Sequence, residues 1–473
     1  MTAAVPPPIS GNDWQQLVPD PDATWTPHQL VSICIPTRNP GPGLERTLRC
    51  LAAQTYPAEL IEIVIADDAS EQPIVVPDGL AHTARVVRQE RTLDFGAGQA
   101  RNLAASAATG DILFFLDADV IPERQVVESY ARWFDRCDLA VPLGLCRFVD
   151  VDDLADDALF DLVQSGGMER HFEGLDVDDQ TWRERHFSRL NDLRTESIDA
   201  FRVTIGATLA VSAAQFHDVG GFPELGVRGV EDTAFGYRVH NNGGVLILDR
   251  DAIHWHQGRR NLSTGRRQEI DRVRAPYVQS VIPVRGFRRG GPPADPPVPP
   301  VPIARVFVRG DGAAAEVTRR SVIEDASGNV ALADGDPDTS AAFAAYDDAF
   351  LHVVLPPGVR WGDDTMTSIL DLLAQHDVGV IRAVDDDGSV IDVVRSRALR
   401  RALHQCPDDD PITVAAQLFG IWWVDVGALD ITASASPTSA EIEPAEEPWW
   451  RRRQRLDLWL FDGVEALLRR AAR

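Results

Sequence analysis

Between residues 31 and 119 the chain alternates two kinds of segment, and this alternation narrows its folds more than any other feature. VSICIP (31–36), IEIVIADDAS (61–70) and DILFFLDAD (111–119) hold apolar runs of strand length, while LERTLRCLAAQ (44–54) and QARNLAASAA (99–108) have the spacing of helices. The strands are too apolar for one wet face. They predict an α/β fold built on a mostly parallel sheet flanked by helices. Ligands of such open sheets gather at the carboxyl ends of the strands. All three strands end there in polar residues: Thr37, Arg38 and Asn39; Asp67 and Asp68; Asp117 and Asp119.

The third strand poses a physical problem. ILFFL reads as buried on both faces, yet its tip carries Asp117 and Asp119, and a half-buried carboxylate pair is costly unless a cation neutralises it. Oxygen ligands of this kind suit Mg²⁺ or Mn²⁺, which keep positions open for a diphosphate. Aspartate at a strand end is common, however, and the spacing alone leaves a turn-forming role open. The same holds for Asp67 and Asp68, which could cap a turn, and for Arg101, which could pair with Glu90 at the surface.

Charge and cysteine content exclude several classes. The 473 residues carry a formal net charge of −26, the reverse of the Lys and Arg surplus that phosphate neutralisation on nucleic acid requires. Cys34, Cys50, Cys137, Cys146 and Cys406 are scattered without a CxxC pair, which indicates neither a disulfide framework nor a zinc knuckle and points to a reducing cytoplasm. MTAAVPPPIS lacks a basic region followed by an apolar one, and no apolar run approaches the length of a membrane span. GAGQA (96–100) is misplaced for a dinucleotide fingerprint, and no P-loop is present.

Composition shifts divide the chain into an arm (1–28), a first α/β domain (29–285), a Pro-rich linker (286–302), a second, smaller α/β lobe (303–432), a polar linker (433–446) and an amphipathic helix (447–473). The second lobe holds an echo of the first. Laying FLHVVLPPGV (350–359) under DILFFLDADV (111–120) keeps the apolar pattern and puts Pro356 and Gly358 in place of Asp117 and Asp119. The same offset, without a gap, pairs HDVGV (376–380) with CDLAV (137–141), as a degenerate duplicated half-domain would, although two unrelated βαβ units could align as well. The terminal helix aligns Leu456, Trp459, Leu460, Val464, Leu467 and Leu468 on one face with arginines around them. That pattern suits peripheral contact with an anionic membrane at its inner face, docking onto the chain's own domain, or a homodimer.

VSICIPTRNPG (31–41), ADDAS (66–70), GAGQARNLAASAATGDILFFLDADVIP (96–122), GATLAVSAAQFHDVGGFPE (206–224) and GVEDTAFGYRV (229–239), in this order, resemble glycosyltransferase family 2 with the GT-A fold over residues 29–260. The segment 203–257 is also similar to bacterial chondroitin polymerases and to the carboxyl part of the β-1,4-galactosyltransferases. The resemblance implies a nucleotide-diphospho-sugar donor, a UDP-sugar above all, and a carbohydrate, lipid-linked or peptide acceptor. It implies that Asp68 meets the nucleotide base in a pocket lined by Pro36, Thr37 and Arg38, that Arg101 lies near the phosphates, and that Asp117 reaches the ribose. Asp119 and His256 would bind Mn²⁺ or Mg²⁺, with His254 in reserve. Asp232 would be the base that takes the acceptor proton, with inversion at the anomeric carbon, and Glu231 would hold the acceptor. Position before the helical run TAFGYRVHN suggests that Asp232 caps that helix.

The Arg-Trp signature of processive members after the base is missing from this region, so single additions are expected. Two other readings fit the same residues. One is a non-catalytic nucleotide-binding scaffold; the other is a sugar nucleotidyltransferase, of whose glycine-rich basic loop TRNPGPG (37–43) is a faint version.

Overall fold

A computed structural model of the chain describes residues 8–18, 25–175, 177–258, 264–288, 293–295, 297–325, 329–385 and 388–433. The proposed terminal helix, 447–473, lies outside them. No helix among the described residues is long and apolar enough to cross a membrane.

The first lobe is built on eight strands: β1 (Val31–Thr37), β2 (Ile61–Asp68), β3 (Thr83–Gln89), β4 (Ile112–Leu116), β5 (Val120–Pro122), β6 (Ala140–Val149), β7 (Thr208–Ser212) and β8 (Val245–Gln257). They form one sheet in the order β3-β2-β1-β4-β7-β6-β8-β5. From β3 to β4 every pairing is parallel, as the continuous apolar runs predict, and β1, β2 and β4 are buried along their whole length. The sheet as a whole is mixed, because β7 runs against both β4 and β6, and β5 against β8. The direction of a strand leaves no mark in its apolar run, so the reversal of β7 and β5 was not legible in the sequence.

Helices α1 (Pro42–Leu51), α2 (Ala97–Ala107) and α3 (Val126–Phe134) follow β1, β3 and β5. The charged stretch after residue 150, hard to place from sequence, forms α4 (Asp156–Ser165), α5 (Met168–Phe172) and α6 (Thr181–Arg189). The apolar sides of α4 and α5 pack on Trp255 and Ile121, Phe187 of α6 joins the main core, and α4 is tied to α1 by Arg46–Asp156 and Arg49–Asp157. Then come α7 (Ala213–Asp218), α8 (Glu231–Asn241) and α9 (Thr264–Val281).

The second lobe comprises β9 (Ala304–Val308), β10 (Val330–Leu332), β11 (Leu351–Leu355), β12 (Val359–Trp361), β13 (Val380–Val384), β14 (Val390–Arg395), β15 (Ile421–Asp425) and β16 (Ile431–Ala433). Helices α10 (Ala313–Ile323), α11 (Thr365–His376), α12 (Ser396–Gln405) and α13 (Pro411–Phe419) cover it. Six of its strands form a smaller mixed sheet, β10-β9-β11-β14-β13-β15.

The lobes share one apolar core, in which Leu209 and Val239 of the first are continuous with Phe350 and Val353 of the second. Part of the segment read as an arm is built into this seam. Ile9 and Leu17 are buried, and Asn12 bonds the Leu246 amide and carbonyl. The Pro-rich stretch forms no regular element among its described residues, yet Ala294 is buried and the Val301 amide bonds the Ser280 carbonyl.

Candidate active site

The polar strand tips meet over one end of the first sheet. Pro36 and Thr37 close β1 opposite Ala66 and Asp67 of β2, with Arg38 exposed just beyond. Asp67 is fully buried, accepts the Ser70 amide (2.8 Å) and pairs with Arg88, so it shapes the turn after β2. Its neighbour Asp68 has one side-chain donor among the described residues, Gln89 Nε2 at 2.9 Å. The backbone of Gly96 lies against it: a Cβ there would fall 2.3 Å from Asp68 Oδ2.

At the tip of β4, Asp117 and Asp119 are partly exposed and face different partners. Asp119 is aligned by the β5–β8 ladder, in which Val120 pairs with His256 and the Gln257 amide donates to the Asp119 carbonyl at 2.8 Å. This leaves Asp119 Oδ1 3.6 Å from His256 Nε2. The imidazole is stacked on Phe148, with centroids 4.3 Å apart, and its Nδ1 donates to the Gln257 carbonyl at 3.2 Å, which turns Nε2 toward the carboxylate. Burial raises the Asp119 carboxyl above its ordinary value, against the opposing pull of His256.

His254 is elsewhere. It is fully buried between Phe114 and Tyr130, donates to the Leu145 carbonyl (3.3 Å), and burial pushes its imidazole down to about 3. Of the two histidines that the sequence offered, this one is packing.

Among the described residues no three His, Cys, Asp or Glu side chains gather closely enough to hold a metal by themselves. One carboxylate and one imidazole nevertheless suit Mn²⁺ or Mg²⁺, which take their remaining ligands from water and phosphate. Gln257, the residue after His256, has its Nε2 on the Gly43 carbonyl and the Thr47 hydroxyl, and its Oε1 is buried without a hydrogen-bond partner among the described residues. The donor set therefore fits an open divalent-cation site completed by a ligand.

Asp117 points the other way. Its Oδ1 accepts from Arg101 Nη2 at 2.8 Å, while Arg101 Nη1 reaches Asp232 at 3.0 Å and Glu231 at 4.0 Å. Arg101 is only 3 % exposed and lies over the ring of Phe222, 5.3 Å from its centroid. The resemblance placed this arginine near the phosphates. Here both terminal nitrogens are taken by carboxylates, and the residue ties the β4 tip to α8.

Helix α8 begins at Glu231, with Val230 in the capping position, so Asp232 is not the cap that the sequence suggested but lies within the first turn. The preceding Gly229, at φ +79°, turns the chain into the helix two residues earlier than expected. Both acids still sit at the positive end of the helix dipole. Burial raises the carboxyls of both, most strongly at Glu231, where Asp232 adds to the effect and Arg101 opposes it. Glu231 Oε2 is buried with no hydrogen-bond partner among the described residues. Three residues not singled out for the site complete it: Gln89, Arg228, whose charge favours ionised Asp119 and Asp232, and Gly206. A Cβ at Gly206 would lie 2.4 Å from Arg101 Cζ and 2.5 Å from Asp232 Oδ1. The only signal for it was its place at the head of GATLAVSAAQF.

A sheet with this order and a carboxylate-tipped central strand define an α/β protein of the GT-A class. Residues 32–189 match the sequence model described as "Glycosyl transferase family 2", so this part of the lobe is similar to glycosyltransferase family 2. The chain is 27 % identical over 259 residues to chondroitin synthase of Escherichia coli, covering 51 % of this chain and 36 % of that protein. It is 32 % identical over 234 residues to validoxylamine A glucosyltransferase of Streptomyces hygroscopicus subsp. jinggangensis, covering 47 % and 54 %. The chain thus spans about half, or less, of the length of these curated relatives. Among solved structures, a mannosyltransferase from Pyrobaculum calidifontis in complex with GDP-Man and Mn²⁺ is 21 % identical, with a TM-score of 0.36, over 59 % of this chain and 71 % of that one.

Proposed function

We propose that this chain transfers a single glycosyl unit from a nucleotide-diphospho-sugar, a UDP-sugar above all, to an acceptor hydroxyl with inversion at the anomeric carbon. One observation carries the reading: Asp119 and His256 face each other at 3.6 Å, while Arg101 joins the same strand tip to the acidic first turn of α8. The crevice between the ends of β1 and β2 receives the nucleoside, with Asp68 accepting from the base, Pro36, Thr37 and Arg38 along the walls and Asp117 toward the ribose. Mn²⁺ or Mg²⁺ held by Asp119 and His256 would offset the charge that builds on the departing diphosphate.

Arg101 keeps Asp117 and Asp232 in one fixed relation. Asp232 accepts the proton of the attacking hydroxyl, a task worth roughly 10²- to 10⁴-fold in rate. Glu231, beside it, orients the acceptor. With the acceptor bound on the α8 side and the leaving group on the β4 side, displacement is in line and inverts the centre.

The test is a pair of substitutions. Asp232→Asn should abolish transfer, lowering kcat by at least ~10²-fold, while leaving binding of a nucleoside diphosphate nearly intact in calorimetry. Asp119→Ala should lose the part of that binding which depends on Mn²⁺. Transfer by Asp232→Asn within a few-fold of wild type removes Asp232 from the role of base.

A further inference from the structure

The second sheet repeats the first. Its order β10-β9-β11-β14-β13-β15 runs strand for strand parallel to β2-β1-β4-β7-β6-β8, and each neighbouring pair has the same sense. β9 is parallel to β10 and to β11, as β1 is to β2 and to β4. β14 is antiparallel to β11 and β13, as β7 is to β4 and β6. β13 and β15 are parallel, as are β6 and β8. The connections agree too: α12 and α13 lie between β14 and β15, as α7 and α8 lie between β7 and β8. The ungapped offset read in the sequence carries β4 onto β11, β5 onto β12 and the start of α3 onto the start of α11, residue for residue.

The chemistry has gone from this copy. Pro356 and Gly358 stand at the β11 tip, and α13 opens on Pro411 and Ile412 where α8 opens on Glu231 and Asp232. The crevice beside β9 and β10, about 520 Å³, counterpart of the nucleoside crevice, is walled by Asp311, Asp334, Asp336 and Asp338 against a single cation among the described residues, Arg319, which is paired with Asp311. Such a lining repels a diphosphate.

What the copy retains is a grip on α8. Arg397, Arg400 and Arg401 of α12 are each 4 % exposed or less. Arg397 uses all five of its N–H donors, two on Glu196, one each on the His240 and Gly244 carbonyls, and one on Asn12. Arg400 bonds the Asn242 side chain (2.7 Å) and Asp218 (2.6 Å), and Arg401 bonds the Gly243 carbonyl. These groups lie at the carboxyl end of α8, where helix carbonyls lack partners and the dipole favours cations. Along the helix, Tyr237 donates to the Asp348 carbonyl (2.8 Å), and Arg238 pairs with the Asp348 side chain at 3.2 Å. Helix α8 is thus held from behind by the second lobe, with its acidic first turn projecting into the site.

We infer that the second lobe is an inactivated copy of the first, kept as a latch that sets the position of the α8 first turn, with Arg397, Arg400 and Arg401 as positioning residues. The effect on rate rests on the reading of Asp232 as base; the mechanical link does not. An 11-residue helix is about 16 Å long, so a tilt of about 4° at the latched end moves the first turn by about 1 Å, a misplacement that can cost ~10²-fold.

The test uses the full chain carrying Arg400→Lys, which keeps the charge but not the forked bonding, and the milder Tyr237→Phe, which removes one hydrogen bond and preserves the packing should the first variant fail to fold. Hydrogen exchange without ligand should quicken at amides 231–236 by about tenfold or more. Transfer kcat should fall about tenfold, with donor KM and nucleoside diphosphate affinity within about twofold of wild type. Faster exchange with unchanged kcat leaves the latch standing and removes Asp232 as base. Unchanged exchange at 231–236 in a folded variant overturns the latch, whatever the kcat. Calorimetric titration with UDP and Mn²⁺ should find no more than one site per chain; a second site that survives Asp68→Ala overturns the loss of function in the copy.

Discussion

Glu231 shows how a single buried carboxyl can govern the pH response of this site. Burial and the neighbouring Asp232 push it up to about 8 from an ordinary value near 4.5, with Arg101 pulling the other way. Across that window the folded chain holds a proton that the unfolded chain has released, so stability falls as pH rises. Glu231→Gln carries no such charge at any pH. Its melting temperature relative to wild type should rise by a few degrees between about pH 4.5 and about pH 8.5, at about 1 °C per kcal/mol for a single cooperative unit of this length. Parallel melting profiles for the two proteins would mean that Glu231 is ionised in the fold. Gly206→Ala works through volume rather than charge, since its Cβ must displace Arg101 or Asp232. Transfer should drop by up to ~10²-fold, with nucleoside diphosphate binding nearly unchanged by calorimetry.

Each site residue is presented by an element whose end is fixed by its own pairing. The apolar runs of β1, β2 and β4 were legible because burial on both faces demands them, and their polar tips followed directly. The preference for His256 over His254 came from the resemblance, and it is the register of β8 against β5, which no apolar pattern encodes, that puts His256 beside Asp119. The start of α8 was also displaced by two residues, since the turn at Gly229 depends on backbone geometry rather than on side-chain type. At the entry to α2, Gly96 allows Asp68 to approach the backbone. Gly96→Ala should force that carboxylate aside and weaken nucleoside diphosphate binding by about tenfold in a thermal-shift or calorimetric titration, the order expected for one strong hydrogen bond to a charged group.

At the scale of the whole molecule the two sheets form one body, because Leu209, Val239, Phe350 and Val353 belong to a single apolar core and residues 9–12 thread the seam. Differential scanning calorimetry should accordingly give one unfolding transition for the full chain. Two separated transitions would mean that the lobes are energetically independent. The repeat between lobes was half legible: the offset aligned β4 with β11, but the order and direction of the remaining strands emerge only in three dimensions. The arginine cluster at the seam bears on how such a chain can diverge. Arg397 answers Glu196, Arg400 answers Asp218, and Arg401 answers bare carbonyls. A lineage that exchanged the first or second would be expected to change its acidic counterpart in the same step, while the third, facing backbone that cannot mutate, would have no compensating partner and should drift least.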